Sequence, residues 1–283
     1  MNKNPTFWFA IPVHNRVEFT RECLKSIYRQ DDMGFQVVVC DDGSTDGTAD
    51  MLTNEFPAVH VLTGDGNLWW TGATNACINF ILNRASAKDM VITLNDDLII
   101  ADDYLVQLQR AFEQHGEIIQ TSAPYDINDR ERLVDSGRRM DWWLAKEVLL
   151  PKAQSGLASV THAPGRGTIF PIAVFEKIGL FDFENLPHYA ADYDFTHRAR
   201  RAGYPLYINY DAKLYSHIDA TGSTKYRATR SFAGLFSYLT DIKSPACLKY
   251  RWIFNKQNCP WYLLPSFTLL DTIRVIGSYY RRR

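Results

Sequence analysis

Apolar positions follow two rhythms over the first hundred residues. FWFAIPV (7–13), FQVVVC (35–40), VHVLTG (59–64) and DMVITL (89–94) are short, nearly unbroken apolar runs, the pattern of strands buried on both sides in a parallel sheet. Between them the apolar residues recur at intervals of three and four. In RVEFTRECLKSIYRQ (16–30) this places Leu24, Ile27 and Tyr28 on one helical face, and Thr48–Phe56 and about Thr71–Arg84 read the same way. Strand and helix thus alternate four times, which predicts an α/β, doubly wound, mostly parallel sheet with helices on both faces. The stretch from about 117 to 215 mixes short strands with loops and contains a predicted helix near Tyr193–Ala202. Beyond Lys225 the chain turns into aromatic, basic, helix-like segments, with breaks predicted at Pro245, Pro260 and Pro265.

Sheets of this kind bind ligands outside the carboxyl ends of their strands. Pro12–Asn15, Asp41–Asp42 in VVVCDDGSTDGT (37–48), the Gly64–Gly72 loop and Asn95–Asp97 in VITLNDDLII (91–100) all fall at such ends, and are expected to converge. A turn made of Asp and Gly needs no ligand to explain it, but paired carboxylates at two strand ends point to a shared site. One acid can accept hydrogen bonds from a base or ribose. A single Asp of the NDD triplet can help hold a hard cation against a diphosphate. The first strand–helix turn, IPVHNR, has none of the glycines of a dinucleotide fingerprint, and a P-loop lysine is absent. Asp41 and Asp42 are adjacent rather than spaced as in an aspartyl-phosphate phosphatase, and no G-x-S-x-G nucleophile turn occurs. A metal is then the natural counter-charge. Trp69 and Trp70 lie between Gly66 and Gly72, where one ring is expected to face sugar or acceptor, with core burial as the alternative. Trp142, next to Trp143, is expected to border the acceptor, with a lid or plain core as alternatives.

Composition adds two constraints. With 283 residues, 46% of them hydrophobic, the chain can bury one large domain or one domain plus an appendage. Five scattered cysteines without metal spacing suit a reduced, cytoplasmic setting. No signal-peptide pattern precedes the first strand, and no run of eighteen residues is free of charge and proline. The net charge of −1 hides an asymmetry, because Thr224–Arg283 holds 11 Lys/Arg against only Asp241 and Asp271. That points to an anionic partner for the tail. An interfacial helix on the inner membrane surface, with Arg281–Arg283 on headgroups, is the expectation; a helical cap or dimer contact is the alternative. Nucleic acid is not expected, since the body is acidic and carries no recognised binding module.

IPVHNR, VVVCDDGSTDGT, GNLWWTGATNA (66–76), LNDD and GRGTIFPIAVFEKIGLFD…HYAADYDFTHRARRAGYPLYI…H together resemble a family 2 glycosyltransferase of the GT-A fold, over about residues 6–217. The resemblance implies a catalytic domain over 1–223 and a helical C-terminal appendage over 224–283. It implies a nucleotide-diphosphate sugar donor, UDP favoured and dTDP the alternative, and a glycan or lipid-linked glycan acceptor, as in polysaccharide or O-antigen assembly. By the same resemblance Asp41 would meet the base, with Pro12, His14, Asn15 and Asp42 lining that pocket and Gly72 on the donor side. Asn95–Asp96–Asp97 matches the metal triplet but begins with Asn, which leaves Asp97 as metal ligand for Mn²⁺ or Mg²⁺ and Asp96 as ribose contact. His217 matches the late histidine that completes the metal site. Gly165, Gly167 and Thr168 resemble the donor-side loop, with Arg166 as a diphosphate contact.

In HYAADYDFTHRARR the first acid of the family pattern is replaced by Ala191, and Asp192 aligns with the catalytic base. Asp194 stands near a helix start, where the dipole favours a carboxylate. Inversion by direct displacement is what the resemblance implies. Two other readings stay open, a sugar nucleotidyltransferase and a non-catalytic binding protein of the same fold. The first turn argues against the former, and Asp192, Asp97 and His217 together argue against the latter.

Overall fold

The computed structural model describes residues 5–30, 33–216 and 231–280. Its first half keeps the predicted alternation: β1 (Phe7–Val13), α1 (Val17–Ile27), β2 (Phe35–Asp41), α2 (Thr48–Glu55), β3 (His60–Thr63), α3 (Trp69–Leu82) and β4 (Met90–Thr93). There follow β5 (Leu98–Ile100), α4 (Tyr104–His115), β6 (Ile119–Asp126), β7 (Arg138–Asp141), β8 (Lys146–Leu149), β9 (Leu157–Ser159), β10 (Thr168–Pro171), α5 (Ile172–Ile178), α6 (Ala191–Arg201) and β11 (Leu206–Ser216). The main sheet runs β3-β2-β1-β4-β10-β6-β11-β5, with β9 also on β11. β1–β4 pair in parallel, as do β6 and β11, while β10, β5 and β9 run antiparallel to their neighbours. β7 and β8 form a separate hairpin.

Strand periodicity splits the core in two. Phe7, Phe9, Ile11 and Val13 of β1 point to one face, packing with Cys23, Leu24 and Ile27 of α1 and Leu105 and Leu108 of α4. Trp8 and Ala10 point to the other, toward Ala73, Cys77 and Ile78 of α3 and Phe195 of α6. Each fully buried large apolar side chain contributes about 1.5–3 kcal/mol, so the two clusters hold the strand ends in place. The five cysteines are all buried and none is in a disulfide.

The C-terminal region forms α7 (Phe232–Thr240), α8 (Leu248–Asn258) and α9 (Leu264–Tyr280). Pro265 does not break α9 as the sequence suggested. It is the second residue of that helix, where a missing N–H leaves no bond unmade. α8 docks on α6: Asn258 Nδ2 donates to Asp194 Oδ1 at 2.9 Å, and Arg201 donates to Asn258 Oδ1 at 2.9 Å. Asp194 also takes Arg198 Nε at 2.8 Å, so it anchors the appendage as well as facing a helix start. α8 and α9 are joined by Arg251 and the buried Asp271. Among the described residues no helix is long and apolar enough to cross a membrane.

Candidate active site

The loops after β1 and β2 are stitched together. Asn15 takes a left-handed φ of 52°, which asparagine tolerates. Its N–H reaches Ser44 Oγ at 2.9 Å, and its Oδ1 accepts from Thr45 N at 2.8 Å. His14 Nδ1 lies 2.6 Å from the carbonyl oxygen of Asp42. A carbonyl only accepts, so the proton sits on Nδ1, and Nε2 takes Asn15 Nδ2 at 3.1 Å. Pro12 lies opposite Cys40 where β1 runs out. Asp41 accepts Ser44 N on one oxygen at 3.0 Å; among the described residues the other takes no hydrogen bond.

Asp42 differs from its expected role. Its Oδ1 accepts Gly66 N at 2.8 Å and its Oδ2 accepts Leu68 N and Trp69 N at 2.9 and 3.0 Å. A Cβ on Gly64 would fall 2.4 Å from Asp42 Oδ1. The carboxylate is the hub around which the 64–69 loop folds. Gly72 is likewise a packing position: it is buried in the first turn of α3, where a Cβ would meet Phe183 at 2.9 Å.

The triplet after β4 is met from two sides. Arg16 Nη1 contacts Asp97 Oδ2 at 2.8 Å and Asp96 Oδ1 at 3.3 Å. Asp96 Oδ2 is buried and has no partner among the described residues. Burial pushes the Asp96 carboxyl up to about 7, against the pull of Arg16 and with the charge of Asp97 adding to it. Asn95 Oδ1 accepts the indole N–H of Trp70 at 3.0 Å. An amide in first place serves that bond without a third negative charge beside Asp96 and Asp97.

Trp70 connects this end of the site to the predicted base. A Cβ on Gly165 would come within 2.1 Å of its ring, and Gly165 N donates to Asp192 Oδ2 at 2.9 Å. Asp192 Oδ1 takes its neighbour Tyr193 N at 2.8 Å. Burial raises the Asp192 carboxyl above the ordinary range, with the two N–H groups offsetting part of the rise. A carboxylate has about four acceptor positions, so room remains for a hydroxyl. Among the described residues four non-glycines have positive φ, and Asn15, Trp69 (54°) and Ala190 (68°) all belong to loops of this site. Such backbone strain gathers where surrounding structure enforces a functional geometry.

Three further expectations are corrected. Among the described residues Arg166 makes no ion pair with Asp96 or Asp97. It lines a cavity with Asp135, Arg138, His162 and Tyr193, and its nearest acid is Asp135 at 3.9 Å. Gly167 is sheet backbone: φ is 73°, its N–H bonds Thr93 O at 2.8 Å, and a Cβ would strike Leu214 at 2.3 Å. Trp142 packs among His197, Phe254 and Phe267, wedging the hairpin onto the C-terminal helices. His217 lies outside the described residues, one beyond Ser216, which pairs with Leu98.

Side chains that sequence reasoning missed complete the crevice. The Trp69 ring is 5.6 Å from that of His188 and 5.6 Å from Lys243 Nζ. Burial, then the charges of Lys243 and Arg16, bring His188 down to about 4, so it is neutral at ordinary pH. Arg16 is part of IPVHNR and is the only cation in that loop, which was a usable signal. Nothing local marks Lys243, because the appendage delivers it.

The residues present fit a hard divalent cation. Among the described residues no three His, Cys, Asp or Glu gather into a cage. Two adjacent carboxylates, one with a buried orphan oxygen, are nevertheless the set that a Mg²⁺-type ion uses when phosphates and water supply the rest.

The sequence profile of the family described as glycosyl transferase family 2 matches residues 8–179. An uncharacterized glycosyltransferase of Rickettsia prowazekii is 24% identical over 221 residues, covering 78% of this chain and 66% of that protein. Two further Rickettsia glycosyltransferases are matched over only 20% of their length. Among solved structures, S. aureus TarS 1–349 in complex with UDP-GlcNAc aligns with a TM-score of 0.59 at 16% identity, over 98% of this chain and 93% of that one. The mannosyltransferase PcManGT from Pyrobaculum calidifontis in complex with GDP-Man and Mn²⁺ aligns at 0.60 and 16%, over 98% and 74%. At that identity the two structures establish a shared fold.

Proposed function

We propose that this chain, which belongs to glycosyl transferase family 2, moves a sugar from a nucleotide-diphosphate donor to a hydroxyl of a glycan or lipid-linked glycan, with inversion and Asp192 as base. The observation that carries the reading is the chain of contacts Asn95–Trp70–Gly165–Asp192, which ties the acid pair to a half-buried carboxylate held ready by two N–H groups. Asp41, with Pro12, His14 and Asn15 around it, receives the base. Asp96 receives the ribose, and Arg16 and Lys243, whose charges both act on His188, face the diphosphate. Trp69 offers its ring to the sugar.

Asp97, with Asp96 beside it and His217 as a further candidate, would hold Mg²⁺ or Mn²⁺; a bound cation supplies charge stabilisation on the leaving diphosphate. Asp192 takes the acceptor proton as the hydroxyl oxygen attacks the anomeric carbon, help worth about 10²–10⁴-fold. Relatives of this fold carry UDP-GlcNAc and GDP-Man, and UDP is the donor we favour here, with dTDP as the alternative.

The test is calorimetric binding of UDP, dTDP, GDP and CMP, each with Mn²⁺ and with EDTA, to wild type and Asp97→Ala. Metal-dependent binding of one nucleotide that is lost in Asp97→Ala supports the reading. Metal-independent binding, equal in both proteins, removes the cation from it. Binding of none favours a non-catalytic protein of this fold.

A further inference from the structure

Exposed apolar surface is concentrated in one part of the molecule. Among the described residues, nine of the eighteen exposed large apolar side chains lie in α7–α9 and their loops, and four more lie in the β7–β8 hairpin. α9 carries large apolar side chains on two opposite faces. Phe267, Asp271, Val275 and Tyr279 face inward at four-residue spacing, while Leu269, Ile273 and Tyr280 lie on the opposite face at 62%, 58% and 45% exposure. A helix with a second, outward apolar face normally has that face covered as well.

The patch continues beyond α9. Trp261 and Tyr262 precede the helix at 84% and 58% exposure, and the hairpin tip adds Trp143 at 71% with Leu144. The Trp143 and Tyr262 rings are 6.3 Å apart, and Trp261 is 5.9 Å from Tyr262. The tip is firmly held. Trp142 is wedged inward, and Arg274 of α9 donates to the carbonyls of Leu144 and Ala145 at 2.7 and 3.1 Å. Ala145, with a φ of 47°, turns the chain there.

We propose that the outer face of α9, the α8–α9 loop and the tip of the β7–β8 hairpin form one membrane-binding surface for the anionic headgroups of a lipid bilayer. Two observations select lipid over a second copy of the chain. The most exposed members are Trp and Tyr, whose amphipathic rings settle at the bilayer–water boundary. The charge is complementary: with Arg251 engaged by Asp271 and Lys243 turned toward Trp69, Lys249, Lys256 and Arg274 remain against Asp241 in the described part of the appendage. Two copies would bring those like charges together. Part of this surface belongs to the catalytic body, since the hairpin lies within the sheet domain, so the site is held at a set position relative to the bilayer. The surface stands apart from the proposed reaction. That its acceptor is presented from the bilayer rests on that reaction.

Flotation of the full chain with vesicles of phosphatidylcholine, alone or mixed with phosphatidylglycerol, tests the surface without measuring transfer. Wild type is expected to float with the anionic vesicles, less so as salt rises. Trp143→Ser/Trp261→Ser is expected to lose about tenfold in bound fraction, with an unchanged melting temperature because both rings are exposed. Quenching of wild-type tryptophan emission by brominated lipid is expected alongside. No flotation with anionic vesicles, or a double variant that floats like wild type, would overturn the proposal. So would a dimer that the double variant dissociates in the absence of any vesicle binding.

Discussion

The carboxylate pairs that follow β2 and β4 look alike in sequence, yet Asp42 and the Asp96–Asp97 pair are partnered in opposite ways. Asp41–Asp42 is met by backbone: Ser44, Gly66, Leu68 and Trp69 all donate N–H groups, and the loop folds around the acid. Asp96–Asp97 is met by one guanidinium from a distant loop, and one of its oxygens is buried without a partner among the described residues. A carboxylate satisfied by backbone N–H groups builds structure, whereas an under-satisfied one is left able to take a further partner. Which fate an acid has depends on the partners that arrive, and not on the acid or its immediate neighbours.

A third acid gives the largest contrast. Asp192 sits at a helix start, as building acids do, yet burial raises its carboxyl above the usual range. Asp192→Asn is expected to lower kcat by about 10²–10⁴-fold while nucleotide binding persists. Its effect on stability is a balance. A carboxylate whose folded pKa is raised favours the fold when protonated and loses that contribution as pH rises through the folded pKa. At neutral pH the ionised group is therefore a burden, which the neutral amide relieves while leaving one of the two N–H groups without its acceptor, so the melting temperature should change little. In wild type, kcat/KM should fall on acidification at a higher pH than an ordinary aspartate would give, because the base must be ionised. An asparagine variant that binds nucleotide and still turns over would assign the base elsewhere.

The pairs themselves should separate in a crossed experiment. Asp97→Ala is expected to lower transfer by about 10²-fold through loss of the cation site, with a change in stability of about 1 kcal/mol or less, since its pair with the half-exposed Arg16 is near the surface. Asp42→Ala should do the reverse in kind. Three N–H groups lose their acceptor, for a cost of about 3 kcal/mol or more, seen as a lower melting temperature before any assay is run. If both variants melt alike and lose activity alike, the division between building and binding acids fails.

Much of this was legible beforehand. Apolar runs and intervals of three and four located β1–β4 and α1–α3 to within a few residues, because burial on both faces of a sheet leaves a strong local trace. The convergence of strand ends followed from topology alone. Partners separated by long stretches of chain were not legible. Asp42 meets the loop 24 to 27 residues later, Arg16 meets acids 80 residues on, and Trp142 meets helices more than a hundred residues away. Glycines misled for the same reason. Gly72 and Gly167 were expected on the donor side, while a Cβ on either would meet Phe183 or Leu214.

Gly165 is the glycine where ring contact and chemistry coincide, and it tests the link between the two ends of the site. Gly165→Ala places a methyl group against Trp70, so either the ring leaves Asn95 or the N–H leaves Asp192. A fall of about tenfold in kcat is expected from displacement on the ångström scale, with a smaller change in nucleotide affinity. Equal losses in kcat and in affinity would mean that the loop has collapsed as a whole.

The smallest effect expected comes from Asn95→Asp, and it goes back to the contrast between the pairs. The substitution keeps an acceptor for the Trp70 indole, so the link to Gly165 should survive and the melting temperature should hold. It also sets a third carboxylate beside Asp96 and Asp97, where Arg16 is the neutralising group shown. Like charges in that position should draw a divalent cation more strongly, by a few-fold at an effective dielectric of about 20. Titration of nucleotide-free protein with Mn²⁺ reads this directly. Tighter Mn²⁺ binding would mark the second pair as poised for a cation and limited by charge. Unchanged binding, with Asp96 and Asp97 intact, would mean that the guanidinium is the permanent partner and that the diphosphate is neutralised by Arg16 and Lys243 instead.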